Sequence, residues 1–271
     1  AKALGKDDPE IAAIVLDKLR AEGVVIEEDA LAGEIKGKAG AIEVHTKDGR
    51  VFKGSHLLMA VGRKSNMDKL NLEAAGIETH RTGIVVDDSM KTTNKKVYAI
   101  GDVAGGLQFT HVAGYQAGVI IRSMLFALPS KARADHIPHV TYTDPELAQV
   151  GLGETAARQK YGAALQVLKL GFDAADRAQA EGKTEGMIKV MVIKGRPVGA
   201  TIAGPNAGEM IGIWALVLAN RLKMGAIAGM VLPYPSMGEL SKRVAGAYFS
   251  PKLFENPLVK RVVGLVQNLV P

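Results

Sequence analysis

The segment Val97-Tyr98-Ala99-Ile100-Gly101-Asp102 is the centre of the predicted fold, because four apolar residues run directly into a glycine and an aspartate. A short apolar run with polar residues on both sides is typical of a buried parallel strand. In open α/β sheets, ligands bind at the carboxyl edge of the strands, where Gly101 and Asp102 would lie. Glycine lets a ligand approach the main chain, and the carboxylate can accept hydrogen bonds from two hydroxyl groups. On these residues alone the alternatives are a cofactor site and, as the more ordinary interpretation, a tight turn with a solvated aspartate.

A helix is predicted to follow, with Thr110 as its N-cap, and to run through Ile120, Ile121 and Leu125. The free N–H groups at its start could hold an electron-rich or anionic edge of a ligand.

Composition excludes several classes of protein. A length of 271 residues predicts about two domains, and 47% hydrophobic with 23% charged residues is typical of a globular chain. The net charge of +6 comes from dispersed lysines and arginines, which indicates solubility and no nucleic-acid partner. The absence of cysteine excludes disulfides and thiolate metal sites within this chain. No signal peptide is visible, and we expect a cytoplasmic location. The chain opens on Ala1 and not on Met, which hints at a fragment, although Met removal would look the same.

The N-terminal part is predicted to be α/β. Asp8-Pro9-Glu10 has the pattern of a helix start, and Gly23 that of a helix end. Further predicted elements are a strand over 24–26, a hairpin over 42–53 with an Asp48-Gly49 turn, a strand over 57–63, a short helix over 71–75 and a strand over 84–87. Arg63 could meet a phosphate, although solvation is the favoured interpretation.

The sequence changes character after a proline-bracketed linker over 129–138. Strand-like and helical segments then alternate as in an α+β domain with an antiparallel sheet. Trp214 lies on the most apolar of the helices. Two histidines of this region, His136 and His139, are three residues apart without a supporting carboxylate cluster, so we predict no metal site.

The tail from Pro257 to Val270 predicts an amphipathic helix with Lys260 and Arg261 on its polar side. Docking of this helix on its own domain or on a partner is favoured, and contact with a membrane surface is the less favoured alternative.

With these segments in order, the chain resembles the pyridine nucleotide-disulfide oxidoreductase family, near dihydrolipoamide dehydrogenase and mercuric reductase-like flavoproteins. The landmarks extend over nearly the whole chain: LMAVGRKSN (58–66), Thr92-Thr93, VYAIGDV (97–103), HVA (111–113), PHVTYTDPELAQVG (138–151), Arg177-Ala178, GPNAGEMI (204–211) and YPSMGE (234–239).

The resemblance implies the fold class and the domains. Residues 1–62 would be the C-terminal part of an NAD(P)-binding domain, 63–129 the C-terminal part of an FAD-binding domain, and 130–271 a dimerisation domain with an antiparallel sheet. The Gly-rich FAD fingerprint, the redox cysteine pair and the first strand of the nicotinamide domain would precede residue 1. The chain would then be the C-terminal part of a longer flavoenzyme.

The resemblance also implies roles for six cofactor-binding residues. Asp102 would bind the ribityl chain of FAD with Gly101 beneath it, and Gly62 would end the nicotinamide-domain strand. Thr110, His111 and Ala113 would form the helix start whose amides face the flavin.

One departure concerns the catalytic residues. The family has His-Pro-Thr followed by an acid, and the His–Glu pair serves the other subunit's disulfide. This chain has Tyr234-Pro235-Ser236 with Glu239 retained. A histidine titrates near neutral pH, whereas a tyrosine does not. Tyr234 and Glu239 are the predicted catalytic residues; Tyr234 would orient a substrate or donate to Glu239, or else it packs in the dimer interface.

Two functions follow as hypotheses. In the first, the longer protein is a homodimer, formed through residues 130–271 with Trp214 on the buried side, that passes electrons from NAD(P)H through FAD to a small-molecule or disulfide acceptor. In the second, the chain is a catalytically inactive dimerisation or scaffold module. In either case we expect this chain alone to bind no FAD, because half of the FAD site would be missing.

Overall fold

The computed structural model describes residues 2–269, and these form two compact units. The terminal unit combines the residues up to Asp29 with those from Asp135 onward, and the middle unit is Ala30–Ala134. The N-terminal helix therefore groups with the C-terminal sheet and not with residues 30–62. The assignment of 1–62, 63–129 and 130–271 to cofactor and dimerisation domains stays a prediction.

Helix α1, Pro9–Ala21, begins as predicted. The Asp8 carboxylate accepts hydrogen bonds from the N–H groups of Glu10 and Ile11 at 3.1 and 3.3 Å, and so caps the helix. The helix ends before Gly23, whose φ of 92° suits glycine. The strand predicted over 24–26 is wrong, because among the described residues no strand pairs with this segment.

The middle unit opens with a three-stranded antiparallel sheet of β1 (Ala32–Lys38), β2 (Ala41–Thr46) and β3 (Val51–Gly54). The predicted hairpin is confirmed, with Gly49 at a φ of 89° in its turn. Strand β1 is missing from the prediction, because it contains two glycines and every residue in it is exposed. It has no apolar alternation, and its pairing with β2 rests on the main chain.

The apolar segment 57–63, predicted as a strand, and the segment 97–100, predicted as a buried parallel strand, are not strands in this unit. Over 57–63 the chain is irregular, with Leu58 and Val61 about nine-tenths exposed at 88% and 90%. In the 97–100 segment, Tyr98 forms one isolated antiparallel bridge with Lys91, and only Ala99 is buried. Parallel strands need neighbours on the same sheet, and none is present among the residues that the structure describes.

The remaining predictions for this unit are confirmed in part. The strand predicted over 84–87 is reduced to a two-residue pair of β4 (Thr79–His80) and β5 (Gly83–Ile84). The helix predicted over 71–75 is a series of turns. Helix α2, Thr110–Phe126, is present, but its N-cap is Phe109 and not Thr110, and no side chain caps it.

The terminal unit contains a five-stranded antiparallel sheet among its described residues, which confirms the predicted α+β region. Its strands, in the spatial order β6-β7-β10-β9-β8, are β6 (His139–Thr141), β7 (Glu146–Gly151), β8 (Gln166–Gly171), β9 (Met187–Ile193) and β10 (Arg196–Gly204). Its helices after α1 are α3 (Glu154–Tyr161), α4 (Asp176–Glu181), α5 (Ala207–Ala219), α6 (Met224–Ala228), α7 (Glu239–Ala247), α8 (Ser250–Phe254) and α9 (Pro257–Leu269).

The core of the terminal unit lies between the sheet and helices α5 to α7. Trp214 is fully buried there, and its indole N–H donates to Ser241 Oγ at 3.1 Å. Trp214 is thus buried within a single chain, whatever lies at a dimer interface. Gly204 lies against the Phe172 ring so closely that a Cβ atom would come within 2.4 Å of it.

Helix α1 is attached to the sheet by a buried ion cluster centred on Lys189, which is 2% exposed. Its Nζ lies 2.7 Å from Asp8 Oδ1, 2.6 Å from Glu10 Oε2 and 2.9 Å from Glu154 Oε2. Burial by itself lowers the pKa of Lys189, but the hydrogen bonds to the three carboxylates outweigh it and the net pKa is raised. The lysine therefore remains charged and joins α1 and α3 to strand β9, which lies between β10 and β8 in the sheet.

The C-terminal helix α9 confirms the predicted helix over Pro257–Leu269, while Val270 lies outside the described residues. No helix among residues 2–269 combines the length and apolar character that a transmembrane span requires.

Candidate functional site

The first candidate site is the corner of the middle unit that begins at Gly101. Gly101 has a φ of 70°, and its N–H donates to Gln116 Oε1 at 2.7 Å. A Cβ atom at this position would come within 3.1 Å of the Ala113 side chain. The structure thus brings Gly101 and Ala113 together, because the corner rests directly on the first turns of α2.

Asp102 follows at the surface with its side chain 52% exposed. Arg63 Nη1 lies 3.7 Å from its Oδ2 and also donates to the carbonyl oxygen of Gln108 at 2.9 Å. The carboxylate therefore has a cation beside it and keeps oxygens that are open to solvent. It can accept hydrogen bonds from ligand hydroxyls without breaking a buried contact.

Ser65 holds the main chain of this corner, and the sequence analysis did not single it out. Its buried hydroxyl lies 3.0 Å from the carbonyl oxygen of Thr82 and 2.9 Å from that of Asp102. Gln116 was missed as well, although it lies three residues after Ala113 and so on the same face of α2. Neither residue type carries a sequence signal for this role, since each acts on a main-chain atom.

The other three predicted cofactor-binding residues are Gly62, Thr110 and His111. They lie less close to the Asp102 carboxylate, in sequence or in packing, than Gly101 and Ala113 do. Gly62, with a φ of 139°, directly precedes Arg63 and is exposed. Thr110 and His111 open α2, and the imidazole ring stacks on Phe109 with 5.2 Å between ring centroids. These positions put the start of α2 and the Arg63 segment beside the same corner.

The second candidate site lies in the terminal unit, where the loop before α7 meets α4. The Tyr234 ring is 70% exposed, and a hydrogen bond to the Asp176 carboxylate raises the pKa of its hydroxyl. Arg243 holds Asp176 from the other side, with Nη2 3.3 Å from Oδ2 and Nη1 bonded to the Ala174 carbonyl. Tyr234 is therefore a neutral hydrogen-bonding group at neutral pH.

Two polar atoms beside Tyr234 are buried without a hydrogen-bond partner among the described residues. They are Glu239 Oε2 and Ser236 Oγ, on the first residue of α7 and in the loop before it. Leaving such atoms unpaired costs free energy. Their position is the one expected of groups that meet a substrate or a second chain.

His139, one of the two histidines weighed as ligands, has a local partner: its Nε2 lies 3.2 Å from Asp7 Oδ1. Within residues 2–269 there is no group of three or more side chains of the metal-binding types that could hold an ion.

Two family models match this chain. Residues 2–117 match the pyridine nucleotide-disulphide oxidoreductase model, and residues 137–245 match the dimerisation domain of the same family. Among curated relatives, the mercuric reductase of Bacillus cereus is 33% identical over 88% of this chain and 38% of its own length. The dihydrolipoyl dehydrogenase of Bacillus subtilis is 30% identical over 86% of this chain and 51% of its own length. The chain thus spans about half the length of the latter relative and less of the former.

Solved structures match this chain over a similar share of its length. LpdA from Mycobacterium tuberculosis superposes with a TM-score of 0.84 at 26% identity, over 89% of this chain and 53% of that one. The HOCl-induced flavoprotein disulfide reductase RclA from Escherichia coli gives a TM-score of 0.83 at 29% identity, over 91% and 57% of the two chains. The fold, the two consecutive model matches and the relatives agree. The chain belongs to the pyridine nucleotide-disulphide oxidoreductase family, whose members are FAD- and NAD(P)-dependent oxidoreductases.

Proposed function

We propose that this chain is the C-terminal part of an FAD-dependent oxidoreductase that passes electrons from NAD(P)H through FAD to an acceptor. The observation that carries the proposal is the Gly101-Asp102 corner, in which a half-exposed carboxylate stands on a main chain held by Ser65 and Gln116. The share of the relatives' length that the chain spans also supports it. Residues 1–62 and 63–129 would contribute to the NAD(P)- and FAD-binding domains.

The chemistry of the corner fits the polyol of a flavin. The two oxygens of Asp102 can accept hydrogen bonds from neighbouring hydroxyl groups of a ribityl chain. The Gly101 N–H bonded to Gln116 fixes the direction of the chain as it enters the corner, so the carboxylate is oriented before a ligand arrives. Bound FAD would supply the electron transfer between NAD(P)H and the acceptor.

The start of α2 would complete the contact with the flavin. Thr110, His111 and Ala113 lie in its first turn, where main-chain N–H groups and the helix dipole favour an electron-rich ligand edge. Gly62 would let the chain turn beside the same ligand, because its φ of 139° is one that residues with a side chain rarely adopt.

Tyr234 and Glu239 would serve the acceptor. A tyrosine whose proton is held by Asp176 orients an acceptor or donates a hydrogen bond; it does not exchange a proton near pH 7 as the family's histidine would. Glu239 Oε2, buried and unpaired, would accept a hydrogen bond from the acceptor or from a second subunit. The acceptor would therefore differ from an ordinary dithiol–disulfide couple.

A homodimer through residues 130–271 and a cytoplasmic location belong to the same proposal. The match of residues 137–245 to a dimerisation domain supports the first. The alternative, a catalytically inactive dimerisation or scaffold module, is supported by the departure at Tyr234.

FAD binding tests the proposal at Asp102. We expect the 271-residue chain alone to stay colourless with FAD, and a form extended by the preceding coding sequence to be yellow. In the extended form, Asp102→Ala should release the flavin, while Asp88→Asn, an exposed aspartate of the same unit, should retain it. Retention of flavin by Asp102→Ala would contradict the assigned role.

Turnover of NADPH or NADH with candidate acceptors tests Tyr234 and Glu239. Tyr234→Phe and Glu239→Gln should lower kcat with bound flavin unchanged, whereas Tyr142→Phe, an exposed tyrosine elsewhere in the unit, should not. An extended flavin-loaded protein without turnover for any acceptor class would favour the scaffold module.

A further inference from the structure

We propose that helix α9 binds the surface of an anionic lipid membrane, lying in the plane of the headgroups. The helix lies beyond residue 245, where the match to the dimerisation domain ends, so the family assignment does not cover it. The inference is independent of the proposed electron transfer.

Helix α9 presents an apolar face of which only Val259 is partly buried in the described chain, while the other apolar side chains are exposed. None of its residues belongs to any of the four buried clusters of the molecule, in contrast to α5 and α7. Leu265, near the middle of this face, is 63% exposed, and the preceding Phe254 on α8 is 70% exposed. Of the two occupants that the sequence favoured, its own domain does not cover this face among the described residues, and docking on a partner stays a prediction.

The angular distribution of residues is that of a helix lying at an interface. At 3.6 residues per turn, the apolar side chains occupy an arc of about 160°. These residues are Leu258, Val259, Val262, Val263, Leu265, Val266 and Leu269. Arg261 lies about 40° outside one end of the arc and Lys260 about 60° outside the other, with Gln267 between Lys260 and the arc. Gly264 and Asn268 lie on the remaining polar side. Basic side chains beyond both ends of the arc can extend to the headgroups while the apolar face enters the acyl boundary.

The charge and the length of helix α9 favour the surface of an anionic membrane as its binding site. The segment Pro257–Leu269 has two basic residues and no acidic one, which complements anionic lipid. Its length, about 20 Å at 1.5 Å per residue, is too short to cross a bilayer core of about 30 Å. A helix that paired with a second copy of itself would place these like charges on both partners beside the seam.

Co-sedimentation of the 271-residue protein with lipid vesicles tests the proposal. We expect binding to phosphatidylcholine vesicles that contain phosphatidylglycerol and little binding to phosphatidylcholine alone. Val262→Ser with Leu265→Ser should abolish binding, whereas the matched polar-face pair Gln267→Ser with Asn268→Ser should change it less than about twofold. Lys260→Gln with Arg261→Gln should weaken binding to the anionic vesicles about 30-fold at low salt.

The fold provides an internal control, because α9 contributes to no buried cluster and all three double variants should keep the melting curve of the parent. The proposal is overturned if the parent does not bind anionic vesicles, or if the Val262/Leu265 variant binds as well as the parent. It is also overturned if that variant only converts a dimer to a monomer, since the face would then belong to a second copy of the chain.

Discussion

The terminal and middle units differ in how much of their own apolar sequence they bury. In the terminal unit, Trp214 and Phe172 are fully buried between the sheet and its helices. In the middle unit, Leu58 and Val61 are exposed, and the buried cluster around Ala99 has only three members among the described residues. A large exposed apolar surface usually marks a contact with another segment or protein. The terminal unit thus has an extensive core of its own, whereas the middle unit leaves more of its apolar side chains exposed.

The largest effect is expected from Trp214→Ala. Removing a fully buried indole should lower the free energy of unfolding of the terminal unit by about 3–5 kcal/mol, because the cavity cannot be refilled. Urea unfolding followed by far-UV circular dichroism measures the change. Trp214→Phe should recover much of the lost free energy of unfolding. If the terminal unit tolerated Trp214→Ala, it would not have the well-packed core that distinguishes it from the middle unit.

The next largest loss in the free energy of unfolding is expected for the ion cluster around Lys189. Lys189→Met leaves three carboxylates without their shared cation, so we expect a loss of about 3 kcal/mol in the free energy of unfolding. Fluorescence of Trp214, which lies in the same unit, reports the transition. The exposed Lys183 supplies the control, since Lys183→Met should change the free energy by less than about 0.5 kcal/mol. Equal effects of the two substitutions would mean that the cluster does not hold α1.

In the middle unit the predicted effects are smaller. Gly101→Ala combines a left-handed backbone with a contact to Ala113, and we expect a cost of about 1–2 kcal/mol. Gly106→Ala has the same backbone requirement, with a φ of 72°, but open space around a Cβ. Hydrogen exchange of the α2 amides should therefore accelerate more for Gly101→Ala. Equal acceleration would show that the corner does not depend on its contact with α2.

The smallest expected effect is on the loss of stability at acidic pH. Lys189 foremost, and then Arg158, lower the pKa of Glu154, although burial opposes them. Because the folded pKa lies below the unfolded one, the stabilisation is present above the unfolded pKa and is lost as the pH falls through the folded value. Between about pH 6 and about pH 3, the parent should lose more stability than Glu154→Gln. Glu185→Gln changes an exposed ion pair with Lys18 and should lose stability with falling pH as the parent does. If all three proteins lost stability in parallel, Glu154 would make no such contribution.

Elements that depend on local chemistry could be predicted from the sequence. The Asp8 cap, the turn at Gly49 and the amphipathic α9 follow from side chains and glycines acting within a few residues. The antiparallel character of the region after Pro138 was predictable from its apolar segments, whose partners lie in the same chain, although the prediction did not include strand β7. The motifs around Asp102 and Tyr234 likewise indicated the family before any coordinates.

The other features emerge only in the folded molecule, because they depend on groups far apart in sequence. It joined Lys189 to Asp8 across the chain, anchored the Asp102 corner through Ser65 and Gln116, and left Glu239 Oε2 buried and unpaired. It also left the apolar segments 57–63 and 97–100 without strand partners among the described residues. An apolar run encodes a tendency to be buried in a sheet, but whether a sheet forms depends on neighbouring strands that the run itself does not specify.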